Sequence, residues 1–239
     1  MARRPARPDD REGLAHLVDL IRETVPPVDR RGIPFVAAPA AVALLGRKHP
    51  WIARPALAAA GASALFFRHP SRVPPTAPGL IVAPADGTVA LVDEAVPLPE
   101  LGLGDEPRPR ICTFLSVFDV HVQRVPVAGR VEAVTHTPGK FLSADLPAAS
   151  TDNERTAMTI ATGPDGDGPR VGVVQIAGLL ARRIVCDPKP GDDVVLGDTY
   201  GLIRFGSRVD MYLPAGTVPR VALGQRAVGA ETVFAELPR

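Results

Sequence analysis

From about Val73 onward the chain is built of short runs of Val, Ile and Leu, each closed by Gly, Pro or Asp. Such punctuation excludes long helices and fits strands joined by turns. The runs include GLIVAPADGTVALVDE, RICTFLS, HVQRVPVAGRVEAVTH, AMTIATGPDGDGPRVGVVQIAG, RIVCDPKPGDDVVLGDTYGLIRFGS and RVDMYLP. Asp86-Gly87 and Pro190-Gly191 are turn signals between strands. Among 239 residues there are 27 prolines, many of them in turns between these runs. The pattern predicts a mainly β domain over residues 73–239, a barrel- or sandwich-like fold of β-hairpins. No repeat of the solenoid or propeller kind is visible.

The first third of the chain reads differently. Residues 1–31 are rich in Arg and Asp, and Leu14, Leu17, Val18 and Ile21 within 11–24 (REGLAHLVDLIRET) fall at helical spacing. An amphipathic helix is expected there. No secretory signal is recognisable. Two apolar runs follow within 32–72: 33–46 (IPFVAAPAAVALLG) and 51–67 (WIARPALAAAGASALFF), separated by Arg47, Lys48 and His49. Each is shorter than the roughly 20 residues of an ordinary spanning helix, and Pro39 and Pro55 interrupt them. One reading is a membrane-associated helical hairpin that dips into a leaflet, with basic residues among the headgroups. The other is a pair of Ala-rich core helices.

Composition removes several classes. A hydrophobic fraction of 46% with 22% charged residues describes a folded chain, and a formal net charge of +1 gives no electrostatic reason to expect nucleic acid. Cys112 and Cys186, the two cysteines, form no CxxC pair and lie near no histidine at ligand spacing. They read as buried thiols, with no metal site.

Chemistry concentrates in a few segments. In 201–214 (GLIRFGSRVDMYLP), Ser207 follows Gly206 between two strand-like runs. A serine after a glycine in a strained turn can attack the preceding carbonyl if the peptide is held at near-attack geometry. Gly-Ser pairs are common, however, and an ordinary turn fits equally well. Asp86 closes the strand LIVA in a Pro-Ala-Asp-Gly turn. It can orient a histidine or accept a proton, or simply occupy the favoured turn position. Strand alternation puts Asp119, His121 and Gln123 on one face, either a site wall or a solvated surface. Residues 139–155 (GKFLSADLPAASTDNER) read as a loop beside the site, in which Asn153 and Arg155 are candidates to hold an anionic headgroup.

FFRHPSR (66–72), PADG, FDVHVQRVP, GKF…NER, QIAGLLARRIV, KPGDDVVLGDTYGLIRFGS and RVDMYLP occur in this order, and together they resemble the phosphatidylserine decarboxylase family, in its short bacterial and archaeal form. The resemblance runs from 66 to about Pro214. It implies a proenzyme that cuts itself between Gly206 and Ser207 and converts Ser207 into a covalently bound pyruvoyl group, the only cofactor expected. The products would be a β chain of residues 1–206 and an α chain of residues 207–239. Asp86 matches the family's PxDG aspartate, which serves self-cleavage. His121 matches the first histidine of the longer members' DYHxxH pattern, which is linked to decarboxylation. The second histidine, linked to self-cleavage, falls on Arg124, so either His121 serves both steps or Asp86 works with a different base; His121 is expected to be the shared proton carrier. Arg208 also departs from the Ser or Thr that follows the serine in longer members.

The implied substrate is phosphatidylserine, whose acyl chains stay in the bilayer. The implied products are phosphatidylethanolamine and carbon dioxide. The expected location is the cell membrane, with the active site on the cytoplasmic side and a homo-oligomer as an option. Arg68 and Arg72 are expected to meet anionic lipid. Residues 1–31 and the tail after Pro214 appear least informative for function. The alternatives are a biotinyl- or lipoyl-like binding module, a metallopeptidase on a similar scaffold, and a decarboxylase of a related phosphoserine lipid. The first needs a lysine at a hairpin tip in a carrier signature, which Lys48, Lys140 and Lys189 do not supply.

Overall fold

The computed structural model describes residues 25–144, 146, 148–179, 183–204 and 206–238. The expected amphipathic helix at 11–24 lies outside the described residues. The chain divides into two compact units, Met1–Val73 and Pro74–Arg239.

The first unit is a helical hairpin, α1 (Ile33–Leu45) and α2 (Pro50–Phe66). Both helices run through their prolines, so Pro39 and Pro55 do not break them as the sequence suggested. The surrounding alanines, the strongest helix formers, offset the one hydrogen bond each proline removes. Pro50 opens α2 at a position where no intrahelical N–H is needed. Phe67 is buried against Phe35 and Phe66, with ring centroids 5.3 and 5.0 Å away. Asp29 accepts a hydrogen bond from the Arg31 N–H and lies 3.4 Å from His69 Nδ1. The FFRHPSR segment thus clamps the base of the hairpin. The hairpin's exterior is apolar: Leu44, Leu45, Trp51, Leu57 and Leu65 are all exposed. No described helix is long and apolar enough to cross a membrane. At 1.5 Å per residue α2 reaches about 25 Å, short of a hydrocarbon core about 30 Å thick.

The second unit is mainly β, as the punctuation predicts. Its strands are β1 (Leu80–Val82), β2 (Gly87–Ala95), β3 (Arg108–Leu115), β4 (Val122–Arg124), β5 (Gly129–Thr137), β6 (Arg155–Ala161), β7 (Arg170–Ala177), β8 (Arg183–Cys186), β9 (Asp193–Val194), β10 (Thr199–Arg204), β11 (Ser207–Tyr212), β12 (Arg226–Ala227) and β13 (Val233–Glu236). Eight form one antiparallel sheet in the order β12-β2-β3-β11-β7-β6-β5-β9. A second sheet has the order β4-β10-β8, and β1 pairs with β13. The short helix α3 (Ala149–Asp152) lies in the loop between β5 and β6.

The two strand-like runs around Gly206 are strands, yet they do not form a hairpin. β10 belongs to the three-stranded sheet and β11 to the eight-stranded one. Between Arg204 and Ser207 the chain therefore changes sheets. β11 then enters the middle of the large sheet, paired along its whole length with β3 on one side and β7 on the other. Its side chains alternate. Ser207, Val209 and Met211 face the main core with Ile111, Leu115, Val173 and Ala177, whereas Arg208, Asp210 and Tyr212 face the opposite side. Met211 is fully buried. We expect Met211→Ala to lower the unfolding free energy by about 2–5 kcal/mol in chemical denaturation, whereas a loss below about 1 kcal/mol would contradict the central place assigned to β11.

Candidate active site

The strand register collects the chemistry-bearing segments at one end of the large sheet. Thr88, Phe114, Arg208, Ile176, Arg155 and Thr137 lie opposite one another on successive strands. One residue nearer the edge come Leu115, Ser207 and Ala177, also directly opposite one another. Beyond that row emerge the PADG turn, the 116–121 loop, Gly206, Gly178 and the loop before Arg155. Segments up to 120 residues apart in sequence, such as Asp86 and Gly206, thereby arrive at one sheet edge.

Ser207 opens β11 and is fully buried between Leu115 and Ala177. Its hydroxyl has no hydrogen-bond partner among the described residues. A buried hydroxyl left unsatisfied costs about 1–3 kcal/mol, a cost that a purely structural position would avoid by carrying Ala. Gly206 has φ +70°, a left-handed conformation that other residues adopt only with strain. Its carbonyl accepts a hydrogen bond from the Gly178 N–H at 3.2 Å.

His121 is buried, and its Nδ1 lies 3.0 Å from the Asp119 carbonyl oxygen. A carbonyl can only accept, so Nδ1 carries a hydrogen in this bond, which fixes the orientation of the ring. The alternating face expected for Asp119, His121 and Gln123 does not form. Asp119 sits in a turn before β4, where its carboxylate accepts from the Ser116 N–H and hydroxyl, both at 2.8 Å, and from Arg226. Gln123 is buried and accepts from Gln175. Asp86 accepts from the Gly229 N–H at 2.8 Å, and the Arg124 N–H donates to the Pro84 carbonyl, bringing β4 alongside the PADG turn. The Arg124 guanidinium points at the Gly197 carbonyl, 3.3 Å away, and cannot act as a base. Of the two positions of the longer members' motif, His121 alone can move a proton here.

Asn153 and Arg155 are engaged within the protein. The Asn153 amide accepts from the Leu142 N–H and donates to the Leu142 and Ala177 carbonyls at 2.8 and 2.7 Å. Arg155 pairs with Glu100 and also donates to the Thr151 carbonyl. Burial pushes the Glu100 carboxyl up, but its own backbone N–H, Arg155 and Thr137 outweigh that and hold it below the usual range. Arg208 donates to the Asp210 carboxylate at 2.9 Å, and this buried pair is joined by Cys112 and Ser150. Burial drives the Cys112 thiol far above its ordinary range, and raises that of Cys186 to about 12. Both cysteines are free, neutral thiols.

Two residues that hold the site lie in the tail that the sequence left uninformative. Arg226 pairs with Asp119 and Gly229 with Asp86, across 107 and 143 residues of chain. Nothing in a single sequence marks an isolated Arg and Gly as such partners.

Burial pushes the Asp119 carboxyl up, but hydrogen bonds from Arg226 and Ser116 outweigh it and hold the group below the usual carboxylate range. A carboxyl depressed in the folded state contributes its stability above its unfolded pKa of about 3.9, and loses it as pH falls through the folded value. Below about pH 4 the melting temperature should therefore fall more steeply for the natural chain than for Asp119→Asn. Parallel declines would contradict the pairing.

The phosphatidylserine decarboxylase family model matches residues 61–235. The chain is similar to a phosphatidylserine decarboxylase proenzyme of Rhodococcus erythropolis, at 61% identity with both chains covered completely. It is 60% identical to that of Rhodococcus jostii, again over both full lengths. It is 59% identical to that of Nocardia farcinica, over 99% of this chain and all of the relative. On a family match over residues 61–235 and such similarity over the full length, the chain belongs to the phosphatidylserine decarboxylase family.

Proposed function

We propose that this chain cuts itself between Gly206 and Ser207 and then decarboxylates phosphatidylserine to phosphatidylethanolamine and carbon dioxide at the membrane surface. The observation that carries the reading is the sheet-changing corner. There a buried hydroxyl without a partner stands next to a carbonyl presented by a left-handed glycine.

Self-cleavage begins as Ser207 Oγ attacks the Gly206 carbonyl carbon. The hydroxyl proton passes to a base, for which His121 is the proton carrier that the end of the sheet offers, oriented through Nδ1. The Gly206 C–N bond breaks as the C–O bond forms, and the proton is returned to the Ser207 nitrogen. Removal of the Ser207 Cα proton then expels Gly206 as a carboxylate. The resulting enamine takes up one water and releases ammonia, leaving a pyruvoyl group at position 207. That group has fewer atoms than the serine it replaces, so it fits the space between Leu115 and Ala177. It supplies the carbonyl electron sink for decarboxylation. The protein's part is to hold position 207 by the β3 and β7 rungs, to exclude water by burial, and to return a proton from His121 to the substrate carbon. After cleavage residues 207–239 still provide β11, β12 and β13, so the two chains remain one folded body.

A lipid substrate is supported by what surrounds this end of the sheet. Val117, Phe118, Leu146 and Leu179 are exposed on loops leaving the same edge, Phe118 at 75% and Leu179 at 64%. Water-facing apolar side chains beside a polar site suit contact with a bilayer. The α1–α2 hairpin, apolar on its exterior, is proposed to anchor the chain to the cell membrane with the site facing the cytoplasmic leaflet.

The function is tested with phosphatidylserine vesicles labelled in the serine carboxyl. The natural chain should release labelled carbon dioxide and form phosphatidylethanolamine, whereas Ser207→Ala should give no release above background. Release by Ser207→Ala would overturn the reading. Membrane contact is tested by vesicle co-sedimentation. Replacing Phe118 and Leu179 with Asp should weaken binding about tenfold or more, from the 1.5–3 kcal/mol of one buried large apolar side chain. Unchanged binding would remove these loops from the membrane contact.

A further inference from the structure

We infer that the backbone N–H of Gly178 stabilises the oxyanion formed during self-cleavage, and that Asn153 positions it. The inference rests on the self-cleavage reading above and deepens it. The carbonyl that Ser207 would attack belongs to Gly206, and its oxygen already accepts the Gly178 N–H at 3.2 Å. By position this bond extends the β7–β11 ladder one rung past Ser207 and Ala177. It differs from the other rungs because its acceptor is the reacting oxygen. At 3.2 Å the bond is long for a neutral carbonyl, and bonds to a charged oxygen shorten to about 2.7–2.9 Å. The donor therefore gains more from the tetrahedral intermediate, in which that oxygen carries the full negative charge, than from the uncut peptide.

Close approach requires glycine at 178. A Cβ there would stand 2.6 Å from the Gly206 oxygen and 3.2 Å from its carbon, with Ala144 on the other side at 3.4 Å. The peptide bearing this N–H is fixed from behind. Asn153 Nδ2 donates at 2.7 Å to the Ala177 carbonyl, the other end of the same peptide unit. Asn153 is fully buried, and its remaining amide atoms are tied to both backbone groups of Leu142. The result is a chain of donors from the Asn153 amide, through the Ala177–Gly178 peptide, to the Gly206 carbonyl. Each bond polarises the next. Asn153 is thereby a positioning residue for the cut rather than a ligand of the substrate headgroup.

The test follows the full-length chain made by cell-free synthesis with lipid, sampled over time on denaturing gels. Three altered chains are compared with the natural one: Gly178→Ala, Asn153→Asp, which keeps the shape but cannot donate, and a chain in which glycolic acid replaces Gly178. The last removes the N–H and adds no side chain, so it decides the matter if Gly178→Ala fails to fold. Loss of the oxyanion donor in the glycolic acid chain, or its displacement from the Gly206 oxygen by the alanine Cβ, should slow cutting about a hundredfold. For Asn153→Asp we expect about tenfold, the size of one lost hydrogen bond of about 1.4 kcal/mol. Hydroxylamine, which cleaves an accumulated ester, should release no fragment that begins at Ser207, because the block lies before that ester forms; in the glycolic acid chain it also cuts the introduced ester after Ala177, and the longer fragment is told apart by size. Cutting at the natural rate in the folded variants would overturn the inference. So would a slow variant from which hydroxylamine releases a fragment of residues 207–239, since the defect would then lie in the later elimination. A natural chain that stays uncut would instead overturn the self-cleavage reading itself.

Discussion

The structure depends on one strand being shared in an unusual way. β11 is held on both sides through every residue from Ser207 to Tyr212, yet the chain reaches it from a different sheet. Backbone hydrogen bonds fix the first residue of β11, while the preceding residue must turn out of the plane to rejoin β10. Gly206, at φ +70°, makes that corner possible. The consequence is a peptide bond with its nitrogen side locked into the centre of a core and its carbonyl side held by a single rung from Gly178.

The same topology makes a break at this bond tolerable. Residues after 206 contribute a central strand, an edge strand of the large sheet and the partner of β1. They also supply Arg226 to Asp119 and Gly229 to Asp86, so the downstream piece braces the two segments that carry His121 and the PADG turn. Cutting the corner would remove none of these contacts. On the outer face, the Arg208–Asp210 pair, backed by Cys112 and Ser150, anchors the start of the downstream piece from the side opposite Ser207. A buried ion pair of this kind adds little net stability against an apolar pair, but removing one member would leave an uncompensated charge. Its place is therefore consistent with fixing the strand's register.

Much of this was legible in the sequence wherever the signal was local. The Gly, Pro and Asp punctuation marked the β unit, and the apolar runs marked the helices, because both patterns arise within a few residues. Gly206-Ser207 could be singled out, but not the change of sheet, since either neighbour of β11 is chosen by contacts with strands near residues 115 and 177. Pairings over long separations, such as Arg226 with Asp119, leave no trace in one chain. The polar loop misled in a specific way. Asn153 and Arg155 look like headgroup ligands because buried and exposed polar residues read alike, whereas Asn153 is enclosed and Arg155 is committed to Glu100. Arg124 shows the opposite case: its departure from the longer members' pattern was visible at once, and the structure supplies the reason that it cannot substitute for a histidine.

The central claim is that the corner at Gly206 and Ser207 is built to be cut. Intact mass of the purified full-length protein under denaturing conditions tests it most directly. The account predicts two chains, residues 1–206 and residues 207–239, the second blocked to Edman degradation by a pyruvoyl end. A single chain of full mass, unchanged after prolonged incubation with lipid, would contradict it.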